Sequence, residues 1–262
     1  MRILVSRLKT LCERRWFNYC LVALSAVVTA WFRISYQSLW NDESISIQWA
    51  AKKSLAWIWQ NVPQSDLHPP LYYSVLHFWW RAFGDSVFSI RSLSALFFVG
   101  SAMLIYYFAA LIFNSKNKAL LVAFIFITNP FAVYYAQETR SYAMLIFLVI
   151  LNAIFFYKIV FLNQGSPKNY WFYALSSLIF IYTNILTLFV LCAHGLLLLV
   201  FRKGKELKHF VFIYAALFIL YIPAFKIIKN ANDFDYSYYN KDKFNIIMQA
   251  VVVVAGFYRR AR

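Results

Sequence analysis

The chain has 262 residues, of which 62% are hydrophobic, 21% aromatic and only 14% charged, and its formal net charge is +16. This composition excludes an ordinary soluble domain, because a water-exposed surface needs more polar side chains. It predicts an all-α protein that crosses a membrane several times. The basic residues fall in short gaps between apolar runs, as membrane topology signals do, so we expect no nucleic acid partner.

The first predicted span covers residues 17–35 and follows a basic segment, which places the N-terminus in the cytoplasm. Residues 36–86 then form a first periplasmic loop. Its abundant tryptophans predict two amphipathic helices lying along the membrane, near 44–60 and 71–83. The second stretch could instead be a short span, but the charges of the later loops argue against a crossing there.

Further spans follow this loop. Together with the first they give about eight transmembrane helices in a single domain, residues 1–262. The long apolar run 170–201 requires two spans with a break at "YTN", 182–184. Lysines and arginines then collect in the cytoplasmic loops, whereas most acids collect outside. The expected later spans are 87–113, 119–136, 141–162, 170–184, 186–201, 209–227 and 244–258.

Two adjacent acids, Asp42 and Glu43, follow the first span in the motif "LWNDESIS". They could be solvated loop acids near the start of a helix, where negative charge is favoured. A carboxylate at this boundary could also deprotonate a hydroxyl or bind a divalent cation. Because neighbouring helical residues point roughly 100° apart, one acid would face a substrate while the other holds the loop.

The motif "DLHPPLYY", residues 66–73, contains a double proline that fixes a rigid start for the next helix. This structural role does not explain Asp66 and His68. Both side chains could bind a substrate hydroxyl or a phosphate.

Arg91 lies about one turn into the span that begins at residue 87. Its position suits a side chain that extends to the membrane interface. A guanidinium at that depth could also contact a lipid phosphate.

A short outside turn in "NPFAVYYAQETRSYAML", residues 129–145, carries several polar side chains. They could simply solvate the turn. The turn is so short, however, that its charges lie close to the hydrocarbon, and ionisable groups at that depth are functional candidates. The candidates for substrate binding are Tyr134, Gln137, Glu138, Arg140 and Tyr142.

These motifs, in this order and spacing, resemble the polytopic glycosyltransferases of the GT-C type. The likeness is to the bacterial branch related to protein O-mannosyltransferases and lipid A aminoarabinose transferases, and it covers roughly residues 15–200. The matching motifs are the acid pair after span one, "HPPLYY", "FGDSVFSIRSLSALF" and "NPFAVYYAQETRSYAML".

The resemblance implies transfer of a sugar from a polyprenyl-phosphate carrier to a glycan, lipid or protein acceptor. It places the protein in a bacterial inner membrane with its active site facing the periplasm. Asp42 matches the family's first-loop acid, a base or metal-associated carboxylate, and Glu43 would support it. Glu138 matches a second acidic motif. The one cofactor to consider is a divalent metal held by Asp42 and Glu138, and the charge of Arg91, Arg140 and His68 suits the carrier phosphate.

Family members continue with further spans, so the chain is expected to be C-terminally truncated, a fragment or half of a split enzyme. Two other classes remain open. The chain could be a transporter or flippase of a lipid-linked sugar, which should carry polar or broken spans at mid-depth. It could also be a non-catalytic subunit of a split glycosyltransferase.

Overall fold

The computed structural model describes residues 15–52, 54–65 and 68–222, and within these ranges every regular element is a helix. The all-helical fold class is therefore confirmed. In chain order the helices are α1 (Arg15–Trp31), α2 (Asn41–Ala50), α3 (Leu55–Ser65), α4 (Leu71–Phe83), α5 (Val87–Phe113), α6 (Lys116–Ile127), α7 (Pro130–Ala136), α8 (Tyr142–Val160), α9 (Pro167–Ile181), α10 (Thr187–Val200) and α11 (Gly204–Tyr221).

Two helices of the described ranges, α5 and α8, are long and apolar enough to cross a membrane. A third crossing is possible if the bent pair α6 and α7 is counted as one span. Helices α1 and α10 are apolar but shorter. The predicted span 87–113 coincides with α5, whose first turn is capped by Ser86 accepting a hydrogen bond from the Ser89 amide. The predicted span 244–258 lies outside the described residues.

The predicted span 119–136 corresponds to the bent pair α6 and α7, between which the chain turns by 63°. The side chain of Asn129 accepts hydrogen bonds from the amides of Phe131 and Ala132, and Pro130 takes the first position of α7. Proline lacks an amide hydrogen, so it starts a new helix here instead of continuing α6.

The sequence predicted one loop helix near 44–60. The structure has two shorter helices in this region, α2 and α3. Ser54 accepts a hydrogen bond from the amide of Trp57 and so caps the start of α3. The other loop helix, 71–83, agrees with α4. The predicted break at residues 182–184 is confirmed: α9 ends at Ile181, and Asn184 accepts a hydrogen bond from the Leu186 amide before α10.

Helix α5 lies at the centre of the packing and contacts α1, α6, α8 and α4. At Gly100 the helices α5 and α8 approach so closely that a Cβ atom would lie 2.9 Å from the Phe147 ring. Small residues permit such close contact between membrane helices. As a result, the end of α1, helix α2, the first turns of α5 and the turn before α8 meet at one place, where the polar candidates are concentrated.

Candidate functional site

Glu43 and Arg91 form a buried ion pair at this meeting point. The guanidinium donates from Nε to Glu43 Oε1 at 2.9 Å and from Nη2 to Oε2 at 2.7 Å, the two-pronged geometry that favours arginine–carboxylate pairs. Glu43 also accepts from the backbone amides of Trp40 and Thr139, at 3.4 and 2.9 Å. It therefore caps the start of α2 and ties that helix to α5 and to the turn before α8.

The remaining hydrogens of Arg91 bind the loop that follows α1. Nη1 donates to the carbonyls of Ile34 and Gln37, and Nη2 donates to that of Ser38. With the two bonds to Glu43, all five guanidinium hydrogens have acceptors. A lipid phosphate could reach Arg91 only by replacing one of these bonds, so the observed role of Arg91 is to hold the loop. Its predicted contact with a phosphate stays a prediction.

Asp42, the neighbour of Glu43, is the accessible acid of the site. Its side chain is 29% exposed, and Oδ2 lies 3.8 Å from Nη2 of Arg140, whose side chain is mostly buried. Arg140 Nη1 also donates to Ser46 Oγ at 3.3 Å, one helical turn after Asp42. The ion pair is long and open on the Asp42 side, so a substrate group can approach this carboxylate.

Glu138 lies beside these charges and is only 3% exposed. Neither oxygen of its carboxylate accepts a hydrogen bond of good geometry from the part of the chain that the structure describes. Burial raises the pKa of Glu138 to about 7, and the charge of Glu43 adds to this, whereas Arg140 and the Trp40 indole lower the pKa less. Glu138 can therefore exchange a proton near neutral pH.

Tyr72 is a residue of this site that the sequence reasoning did not select. It is buried in α4, and its hydroxyl makes no hydrogen bond of good geometry. Burial raises the pKa of the phenol, and the nearby charges of Arg140, Glu43 and Glu138 also act on it. Tyr72 belongs to the motif "HPPLYY", and this position could have indicated that it is part of the site. The prediction from this motif considered only its histidine and prolines.

The predicted aromatic candidates line one side of the site. The rings of Tyr135 and Tyr142 are 4.7 Å apart, and His68 approaches Tyr142 edge-on at 6.4 Å between centroids. Arg140 lies 6.0 Å from the Tyr142 ring centroid, and Tyr134 is exposed beside Tyr135. His68, Tyr142 and Arg140 thus share a site with Asp42.

Gln137 has a different environment from the other candidates of its turn. Its side-chain amide donates to the carbonyls of Ala30 and Phe32, at 3.1 and 2.8 Å. These carbonyls lie at the end of α1, so Gln137 ties α1 to the turn before α8. Asp66 lies outside the described residues.

The predicted divalent metal would have two carboxylates, Asp42 and Glu138, as oxygen ligands. Neither carboxylate oxygen of Glu138 accepts a well-formed hydrogen bond from the described residues. In residues 15–52, 54–65 and 68–222, however, no group of three or more His, Cys, Asp or Glu side chains is placed to hold an ion. The predicted metal stays a prediction, and the chemistry below uses none.

Comparisons with protein-family models, curated proteins and solved structures give no match for this chain. The function is therefore argued from the residues of the site.

Proposed function

We propose that the protein is a membrane glycosyltransferase that moves a sugar from a polyprenyl-phosphate carrier to an acceptor hydroxyl. The observation that carries this proposal is the accessible carboxylate of Asp42 beside the guanidinium of Arg140, which lies just before the apolar helix α8. A base and a phosphate-binding cation are the two groups that such a transfer needs. The sequence resemblance to GT-C enzymes supports the same reaction class.

In the proposed reaction, the acceptor oxygen attacks the anomeric carbon, and the bond from that carbon to the phosphate oxygen breaks. Asp42 accepts the proton of the attacking hydroxyl and later releases it to water. The bonding electron pair leaves with the polyprenyl phosphate, whose negative charge Arg140 stabilises. Single displacement inverts the configuration at the anomeric carbon.

Glu43 and Arg91 have a positioning role in this scheme. Their buried pair fixes the first turn of α2 and therefore the backbone of Asp42. The charge of Glu43 is fully engaged by Arg91 and two backbone amides, which leaves Asp42 as the base. Division of roles between two adjacent acids follows from their different directions on one helix.

The proposed setting is a bacterial inner membrane, with the N-terminus in the cytoplasm and the Asp42 site facing the periplasm. The proposed architecture is GT-C-like with about eight spans. It would bring a lipid-anchored donor and a glycan, lipid or protein acceptor together at the membrane boundary, where the aromatic side chains of the site suit the interface.

The test is transfer by the full chain in proteoliposomes that contain a panel of polyprenyl-phosphate sugars, with envelope extract as acceptor. The measured quantity is the release of polyprenyl phosphate. We expect Asp42→Asn to reduce release at least about 100-fold, as loss of a general base does. Asp85→Asn, which changes an exposed acid between α4 and α5, should leave release unchanged.

Wild-type release by Asp42→Asn, with an unchanged Tm, would contradict the role of Asp42. Movement of the intact sugar-linked lipid between leaflets without release of polyprenyl phosphate would instead identify a flippase.

A further inference from the structure

A cavity of about 560 Å³ lies between the end of α1, the loop after it and α7. Val28 and Val133 form apolar parts of its wall, whereas Arg33, Arg91 and Gln137 form polar parts. Asp42, Glu138 and Arg140 do not line it. The cavity is therefore separate from the proposed reaction site, and its occupant has to be identified from its own chemistry.

Among the described residues that line the cavity, Arg33 is a cation whose charge no acid neutralises. Arg91 is paired with Glu43, and all its donors are used. Arg33 is exposed, and it forms no ion pair within the described part of the chain. No Asp or Glu among the described residues lines the cavity. An arginine in such surroundings favours an anion with oxygen acceptors, above all a phosphate.

The surroundings of Arg33 place this cation at a membrane boundary. The residue directly follows the apolar helix α1, between the exposed aromatic side chains of Phe32 and Tyr36. Its guanidinium lies 4.9 Å from the Tyr36 ring centroid, in a cation–π contact that holds the charge at the cavity. Below it, Val28 is 61% exposed on α1 and offers an apolar surface to lipid chains.

We propose that this cavity binds the phosphate headgroup of an anionic phospholipid from the surrounding bilayer. The phosphate contacts Arg33, and the acyl chains run along Val28. A polyprenyl-phosphate donor does not suit this cavity, since its phosphate has to reach Asp42 and Arg140. A zwitterionic headgroup is less suited, because no described acid lines the cavity to bind its cation, and the Tyr36 ring is already covered by Arg33.

Lipid binding here would bear on the neighbouring site through the loop after α1. Residues of this loop line the cavity and also provide the carbonyls that hold Arg91. The binding proposal itself does not depend on the glycosyltransferase proposal, since its readout is lipid retention.

The test uses native mass spectrometry of the full chain released from nanodiscs of equal parts phosphatidylglycerol and phosphatidylcholine. We expect wild type to retain phosphatidylglycerol and Arg33→Gln to retain about tenfold less, the effect of losing one charge-assisted hydrogen bond. Arg81→Gln is the matched control, since Arg81 is an exposed arginine in the last turn of α4. Its retention should equal that of wild type.

A second variant distinguishes loss of the Arg33 charge from a folding defect. Arg33 has a left-handed φ of 57°, which glycine adopts without strain, so Arg33→Gly removes the charge at a position where the backbone tolerates it. It should show the same loss of phosphatidylglycerol. Equal retention by wild type and both variants, or equal retention of the two lipids by wild type, overturns the proposal. Displacement by soluble glycerol phosphate at similar concentrations also overturns it, since the site would then bind a free anion.

Discussion

Asp42 and Glu43 are neighbours in the sequence but have different environments in the structure. Glu43 is buried against Arg91, whereas Asp42 is partly exposed beside Arg140. The direction of each side chain from α2 decides this difference, because successive helical residues point roughly 100° apart. The sequence could predict that the two acids have separate roles, but the partner of each depends on contacts with α5 and the turn before α8.

The Glu43–Arg91 pair gives a prediction about stability. Arg91→Ala leaves the Glu43 carboxylate buried without its partner, which should cost about 3–5 kcal/mol of unfolding free energy. In detergent, Tm should fall by on the order of 10 °C. Arg91→Lys should have an intermediate Tm, since lysine keeps the charge but loses the two-pronged contact. Arg81→Ala is the exposed control, and an equal Tm for Arg81→Ala and Arg91→Ala would refute the structural role.

Glu138 gives a prediction about pH. Its pKa is about 7 in the folded protein and 4.5 at its ordinary value, so the folded state binds the proton more tightly between these pH values. Unfolding free energy should therefore decrease as pH rises from about 5 to about 7, by up to roughly 3 kcal/mol. Thermal unfolding measured between about pH 5 and about pH 7 tests this decrease in stability. Glu138→Gln should abolish this pH dependence of stability, whereas Glu206→Gln, in the first turn of α11, should retain it.

At the level of elements, the 63° bend between α6 and α7 places the turn that carries Glu138, Thr139 and Arg140 against α2. The dipeptide Asn129-Pro130 is a recognisable helix breaker. Its apolar surroundings favoured a span over 119–136, and that prediction did not include the bend. The bend is stabilised by a helix cap, because the Asn129 side chain accepts hydrogen bonds from two amides at the start of α7.

The cap at Asn129 can be tested. Asn129→Ala removes both side-chain bonds to the start of α7 and should cost about 1 kcal/mol of unfolding free energy. Asn129→Asp keeps an oxygen acceptor and should restore most of the Tm. A similar Tm loss in both variants would show that the cap does not stabilise the bend.

The whole molecule raises the question of orientation, and accessible positions on each side can answer it. In a chain with Cys12, Cys20 and Cys192 changed to alanine, Asp85→Cys should react with an impermeant thiol reagent in intact cells. Asn117→Cys, in the first turn of α6, should react only after lysis. The reverse pattern would overturn the proposed topology. Ser141 would be a poor probe because it is only 5% exposed.

The sequence by itself predicted a membrane protein and determined the helical fold and several helix bounds, because apolar runs and capping residues act locally. Val87–Phe113, Leu71–Phe83 and the break after Ile181 agree with the predicted positions. It also indicated most residues of the site, because charged side chains close to the hydrocarbon of a membrane are energetically unfavourable and are therefore functional candidates. Only the tertiary structure showed that Arg91 binds Glu43, that Gln137 donates hydrogen bonds to the end of α1 and that Tyr72 lies in the site. Those contacts join residues far apart in sequence, and helix packing brings them together.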